Sequence, residues 1–255
     1  MSFTTIQNRW DTFLTKIEDR FHDVLSKTEA ALPLLFEATD FETTTFHNAW
    51  QGIYTQASDL ISKIDSTWFD KVEETFLDTH LDDDSVQFIK ERNKGFQLQH
   101  DLDQELKSYE VRIFSEAAKK LLVAVKKTLS KDFSCTQCQA KLPVKNNFFR
   151  SYYSTCDYCQ TVNTFEPGTK ARNIEHFAIN ALGEEAALEH YLKYEQLKFQ
   201  NYLNDRDVYG KDELVNQYRK YIEAFLKKRI EIIPDYQDRY EKDLTAKMSF
   251  IIDYS

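Results

Sequence analysis

The chain has 255 residues, of which 42% are hydrophobic and 29% charged, with a formal net charge of −9 and only five glycines and four prolines. That length can bury one substantial core or two smaller ones. No apolar run approaches the ~20 residues that span a bilayer, so a membrane partner is not expected. Phosphate-cradling loops are set aside as well, because neither G-x-x-x-x-G-K-[ST] nor G-x-G-x-x-G occurs.

Glycine-poor, charge-rich composition predicts a mainly α protein. Ile6, Trp10, Phe13, Ile17, Phe21 and Val24 recur at spacings of three and four, with Leu14 and Leu25 widening the stripe, and Pro33 is expected to end that helix. Asp40 is the expected N-cap of a second helix carrying Phe46, Ala49, Trp50, Ile53, Ala57, Leu60 and Ile64. Phe69, Val72 and Phe76 predict a short third helix. Asp82, Asp83 and Asp84 are expected to turn the chain and cap the next helix, without a metal. Residues 85–130 keep helical periodicity almost throughout, with Gly95 as the expected break or kink.

The pattern then changes. The four cysteines form two pairs, Cys135-Thr-Gln-Cys138 and Cys156-Asp-Tyr-Cys159. Two C-x₂-C turns at this separation are the sequence form of a four-thiolate zinc site. Each turn offers two sulfurs on one side, and two turns complete a tetrahedron. Disulfides would need an oxidising compartment, and the first ten residues lack a charged leader and an apolar segment, so a cytoplasmic location is expected. A redox dithiol would be expected beside a βαβ pattern, which is missing. The expectation is one structural Zn²⁺ per chain on Cys135, Cys138, Cys156 and Cys159, with no open position for catalysis.

Residues 141–144, 148–153 and 161–165 read as short strands, with Asn146-Asn147 turning between the first two. On CTQC and CDYC, residues 133–168 resemble the broad zinc-ribbon class. Many ribbons carry Pro after the first cysteine and Gly after the second; here Thr136 and Asp157, then Gln139 and Gln160, take those places. The resemblance covers about one-seventh of the chain, and the class serves nucleic-acid binding, protein docking and structural stapling alike.

Helices resume after Pro167-Gly168, with Thr169 as the expected cap and Gly183 as an expected end or kink. Asp212 is expected to cap a helix carrying Leu214, Tyr218, Tyr221, Phe225 and Ile232, and Pro234 to start the last one. The fold class is thus mainly α: an antiparallel helical bundle or long helical hairpin with an inserted small β zinc ribbon. The expected domains are a helical region over 1–132, the ribbon over 133–168, and a helical region over 169–255 that packs on the first.

Two features bear on function. From Lys119 to Arg172, ten Lys/Arg stand against three acids, leaving a net −16 elsewhere. A small ribbon also cannot bury both faces of Phe148-Phe149 and Tyr152-Tyr153 by itself. Lys141, Lys145, Phe148, Arg150 and Tyr152 are therefore the candidate partner surface, with aromatic and basic groups suited to an acidic protein or to single-stranded nucleic acid. Glu175-His176 and Glu189-His190 are the remaining candidates for a second site, although adjacent helical residues do not share a face. No catalytic residue is assigned. The reading is a cytoplasmic interaction or scaffold protein with the ribbon as docking head for another protein. A nucleic-acid-binding protein comes second, and an enzyme with a helical active site third.

Overall fold

A computed structural model describes residues 1–79, 82–83, 85–129, 133–145, 148–204 and 208–252. The chain is mainly α with one small antiparallel sheet. In order come α1 (Phe3–Glu29), α2 (Ala31–Ala38), α3 (Thr43–Thr67), a π turn (Trp68–Val72), α4 (Glu73–Leu77) and α5 (Val86–Leu129). Strands β1 (Tyr152–Thr155) and β2 (Val162–Phe165) come next. Then come α6 (Thr169–Asn173), a second π turn (Ile174–Ala178), α7 (Ile179–Leu203), α8 (Lys211–Ile232), a 3₁₀ turn (Pro234–Arg239) and α9 (Tyr240–Ile252).

Contacts divide the chain into two interleaved units: Met1–Leu35, Thr44–Glu110 and Lys198–Val208 form one, and Phe36–Thr43, Val111–Leu197 and Tyr209–Ser255 the other. In the first unit, α1 starts at Ser2, whose hydroxyl accepts from the Thr5 amide. Its buried line is Ile6, Trp10, Leu14, Ile17, Phe21 and Leu25. Phe13 and Val24 sit at the margin of that stripe, half-buried. The π turn after α3 inserts one residue into the helical register. Trp68 is consequently turned inward and Phe69, expected on the buried stripe, is 55% exposed. Trp68 lies 5.5 Å from both Trp10 and Phe88 and 5.9 Å from Phe76, ring centre to ring centre.

Several punctuation residues act differently from the sequence expectation. Helix α1 does end before Pro33, at Glu29, but Pro33 itself lies inside the first turn of α2, where its missing N–H would have had no helical acceptor. Asp40 and Phe41 both take left-handed φ, 56° and 65°, so Asp40 makes a tight turn rather than a cap. Asp84 lies outside the described residues, and the Ser85 hydroxyl accepts from the Phe88 amide at 3.3 Å to start α5. Gly210 and Gly168 stand at the N-caps of α8 and α6, leaving Asp212 and Thr169 within the first turns. Gly95 and Gly183 break nothing; each lies inside a continuous helix where another side chain comes close. A Cβ on Gly183 would meet the Phe225 ring at 2.8 Å and its carbonyl oxygen at 3.3 Å.

That approach yields an expectation. Gly183→Ala gains about 1 kcal/mol of helix propensity but forces α7 and α8 apart, at about 1–3 kcal/mol. Thermal unfolding of the variant should therefore begin at a lower temperature. An unchanged or raised midpoint would show that Phe225 moves aside at little cost.

In the second unit, Ala187, Ile222, Phe225, Leu226, Leu244 and Met248 form one buried cluster from α7, α8 and α9. The sheet pairs Tyr152 with Phe165 and Thr155 with Val162. Residues 148–150 form a turn and bend rather than the expected strand, and 141–144 contribute only an isolated bridge, Ser134 to Lys141. The expected Asn146-Asn147 turn lies outside the described residues.

Candidate metal centre

Two hairpin tips build the centre. In the first, the Leu142 amide donates to the Phe133 carbonyl and the Cys135 amide to the Ala140 carbonyl, each at 2.8 Å. In the second, the Cys156 amide donates to the Thr161 carbonyl at 3.0 Å, where β1 ends and β2 begins. Each tip closes with the amide of its fifth residue on the carbonyl of its first: Gln139 to Cys135 at 3.0 Å and Gln160 to Cys156 at 2.9 Å. Gln139 and Gln160 take φ of 60° and 59°, the left-handed region that favours glycine. The backbone thus has the same turn geometry at both tips, even though glutamine occupies the place.

The four sulfurs converge. Cys135 Sγ is 3.5 Å from Cys159 Sγ, and Cys138 Sγ is 3.5 Å from Cys156 Sγ. All four lie within 4.8 Å of one another, so the group can hold a metal ion. A disulfide would bring two sulfurs to about 2.05 Å. Bonds of about 2.3 Å to a central ion give tetrahedral edges of about 3.8 Å, near the spacing seen. Among the described residues, this is the single grouping of three or more His, Cys, Asp and Glu with that capacity. His176 and Glu189 are exposed, and neither Glu-His pair enters such a grouping.

Local donors favour thiolates. The Cys138 amide, working against burial and aided by the Gln137 amide, holds the Cys135 thiol down at about 6. The Thr161 hydroxyl and then its amide lower Cys159. At Cys138 the Ala140 amide also favours the thiolate, but the crowding thiol of Cys159, burial, Cys156 and Cys135 outweigh it and push Cys138 up to about 12. Four thiolates at this spacing repel one another, and a divalent metal would supply the neutralising charge.

Asn163 is the site residue that motif reading does not reach. It is buried, at 3% exposure. Its Nδ2 donates to Cys135 Sγ at 3.6 Å and to the Thr161 carbonyl at 2.9 Å. Its Oδ1 accepts from the Thr136 amide at 2.8 Å and from the Thr136 hydroxyl at 3.1 Å. One side chain from β2 thereby ties the two tips together and orients a sulfur. The available signal was a polar residue at an inward strand position, between exposed Val162 and Thr164. Asn163→Ala should weaken metal affinity by about 10–100-fold, as loss of an outer-sphere partner does. Competition with a chromogenic chelator would read this, and an unchanged affinity would reduce Asn163 to a packing role.

Below the sulfurs, Phe133, Tyr152 and Phe165 form a small aromatic core. Tyr152 stacks on Phe165 at 4.7 Å, and Phe133 meets Phe165 edge-on at 5.2 Å. Of the candidate surface, Lys145 and Tyr152 come together: the Lys145 amide donates to the Tyr152 hydroxyl at 2.9 Å, and its ammonium lies 4.7 Å above the ring. Lys141 is exposed and Phe148 half-buried. Arg150 turns elsewhere, forking onto the Glu175 carboxylate with Asp235 3.8 Å away.

The Glu175 contact has a pH consequence. Arg150, opposed by burial and assisted by the Tyr236 hydroxyl at 3.0 Å, holds the Glu175 carboxyl below its ordinary value. A depressed carboxyl contributes stability above its unfolded pKa and loses it as pH falls through the folded one. Glu175→Gln should accordingly flatten the acid limb of stability below about pH 4.5, the ordinary carboxylate range. An unaltered acid limb in a pH series of thermal melts would count against the pair.

At least half of the basic block is matched inside the second unit. Lys119 pairs with Glu185 at 2.6 Å, Lys120 with Glu37 at 2.5 Å, Arg172 with Glu166 at 2.9 Å, and Lys170 with Asp40. With Arg150, at least five of the ten bases in 119–172 face carboxylates among the described residues. Among the described residues, no helix is long and apolar enough to cross a membrane. No family model matches the chain, and neither a curated protein nor a solved structure matches it.

Proposed function

We propose that this is a non-enzymatic interaction or scaffold protein in which one zinc ion holds residues 133–168 as a ribbon that docks another protein. The observation that carries it is the convergence of four sulfurs from two matching turns. Four protein ligands close a tetrahedral site, leaving no position for an activated water, so the ion serves structure. All-sulfur ligation favours zinc over the harder divalent ions. Unbonded thiols in this arrangement suit a reducing compartment, which supports a cytoplasmic location.

The charge pairing favours protein over nucleic acid as partner. Phosphate binding needs lysines and arginines free to neutralise it. At least half of the basic block already faces carboxylates. Elemental analysis of protein purified without added metal should find one zinc per chain; iron, or less than about half an equivalent of zinc, would overturn the metal assignment. The docking role is tested by affinity recovery from the native cell with intact protein and with Cys138→Ser. Protein recovered with the first and absent from the second supports it. RNA or DNA recovered instead, or an identical set from both, overturns it.

A further inference from the structure

The ribbon's exposed aromatic side chains are not those of the basic surface. β1 and β2 alternate, so Tyr153, Thr155, Val162 and Thr164 share the outward face of the sheet. Register places Tyr153 opposite Thr164 and Thr155 opposite Val162, which makes Tyr153 and Val162 diagonal neighbours. They are 74% and 62% exposed, and Tyr158, at the tip of the same hairpin, is 83% exposed. Tyr153 and Val162 thus form an exposed apolar pair on one strand face, and Tyr158 adds a third exposed group to the same hairpin, which offers a contact site.

The charge of the hairpin selects the partner. From Tyr152 to Phe165 there is no lysine or arginine, and Asp157 is the sole ionic side chain. The facing tip, Cys135 to Ala140, has no charged side chain apart from its thiols. Four thiolates around a divalent cation leave two net negative charges, and Asp157 adds a third. Phosphate is repelled from such a tip, which argues against nucleic acid on this face. We infer that this hairpin, through Tyr153, Val162 and the tip residue Tyr158, docks an arginine-bearing segment of another protein. Guanidinium stacks on tyrosine faces, is more weakly hydrated than ammonium, and complements the negative tip. The inference rests on the metal-holding reading, which supplies two of the three charges.

The test is fluorescence anisotropy of a labelled peptide of alternating arginine and glycine, titrated with the full metal-loaded chain. Saturable binding is expected, weakened by about tenfold in the double variant Tyr158→Ala, Asp157→Asn, where one aromatic face and one charge are lost together. A lysine-glycine peptide should bind several-fold more weakly, and Lys141→Glu with Lys145→Glu should not reduce binding. Absence of binding, no loss in the double variant, or tighter binding of oligo(dT) overturns the inference. So does self-association of the chain that the peptide does not displace. Metal content is measured alongside: full loading without peptide binding sinks the docking inference alone, whereas a chain that holds no metal sinks both.

Discussion

Cys156→Ser is expected to empty the metal centre and unfold residues 133–165 while most of the helical circular dichroism survives. The sulfur is fully buried, so nothing from solvent can replace it at that corner of the tetrahedron. Without the ion, Phe133, Leu142, Tyr152 and Phe165 are left as the ribbon's own apolar support, too few to offset the entropy of ordering over thirty residues. Structural zinc in small domains contributes on the order of 10–16 kcal/mol, so no adjustment of packing compensates. Hydrogen exchange would show it directly, with the amides of Cys135, Leu142 and Cys156 losing protection. Collapse of the whole helical signal would mean that the ribbon is indispensable to the core of its unit.

Trp10→Ala should cost about 3–5 kcal/mol, the range for deleting a buried aromatic ring. The indole is 1% exposed, packs on Trp68 and Phe13, and donates from Nε1 to the Glu91 carbonyl at 3.0 Å. A Cβ on Gly95 would come within 2.7 Å of its Cζ2 atom, so this glycine lets α5 pass close to the ring. A double-mutant cycle tests the contact: Gly95→Ala should destabilise by about 1–3 kcal/mol in the intact protein and by much less once Trp10 is gone. Trp10, Trp50 and Trp68 all belong to the first unit, so urea unfolding tracked by the remaining tryptophan fluorescence reports on that unit. Additive costs would mean that Gly95 and Trp10 do not share the contact.

Short-range periodicity and fixed ligand spacing are the features of this chain that sequence reading reaches. The α1 stripe and the two cysteine turns are local patterns, and the structure has both. The π turn at Trp68–Val72 is not legible, because one inserted residue leaves the composition unchanged while moving Trp68 inward and Phe69 outward. Gly95 and Gly183 read as breaks because single-helix logic cannot see the ring that approaches each of them. The +7 block invites a reading as a binding surface, since its partners Glu185, Glu37 and Asp40 lie 66, 83 and 130 residues away from their bases. Asn163 is hidden for the opposite reason: its sequence setting is ordinary, and only folding brings it to Cys135.

The unequal burial of the sulfurs sets an order of attack on the centre. Cys135 and Cys156, the first cysteine of each turn, are shut away, whereas Cys138 is exposed and Cys159 half-buried. A chelator, an electrophile or a peroxide coming from solvent meets Cys138 first. With an ion held as proposed, loss of the Cys138 bond would open a coordination position while three sulfurs remained, so release would proceed through a tethered three-sulfur stage rather than all at once. Alkylation and then mass spectrometry would catch that stage as a singly modified chain, labelled at Cys138 with the metal still bound.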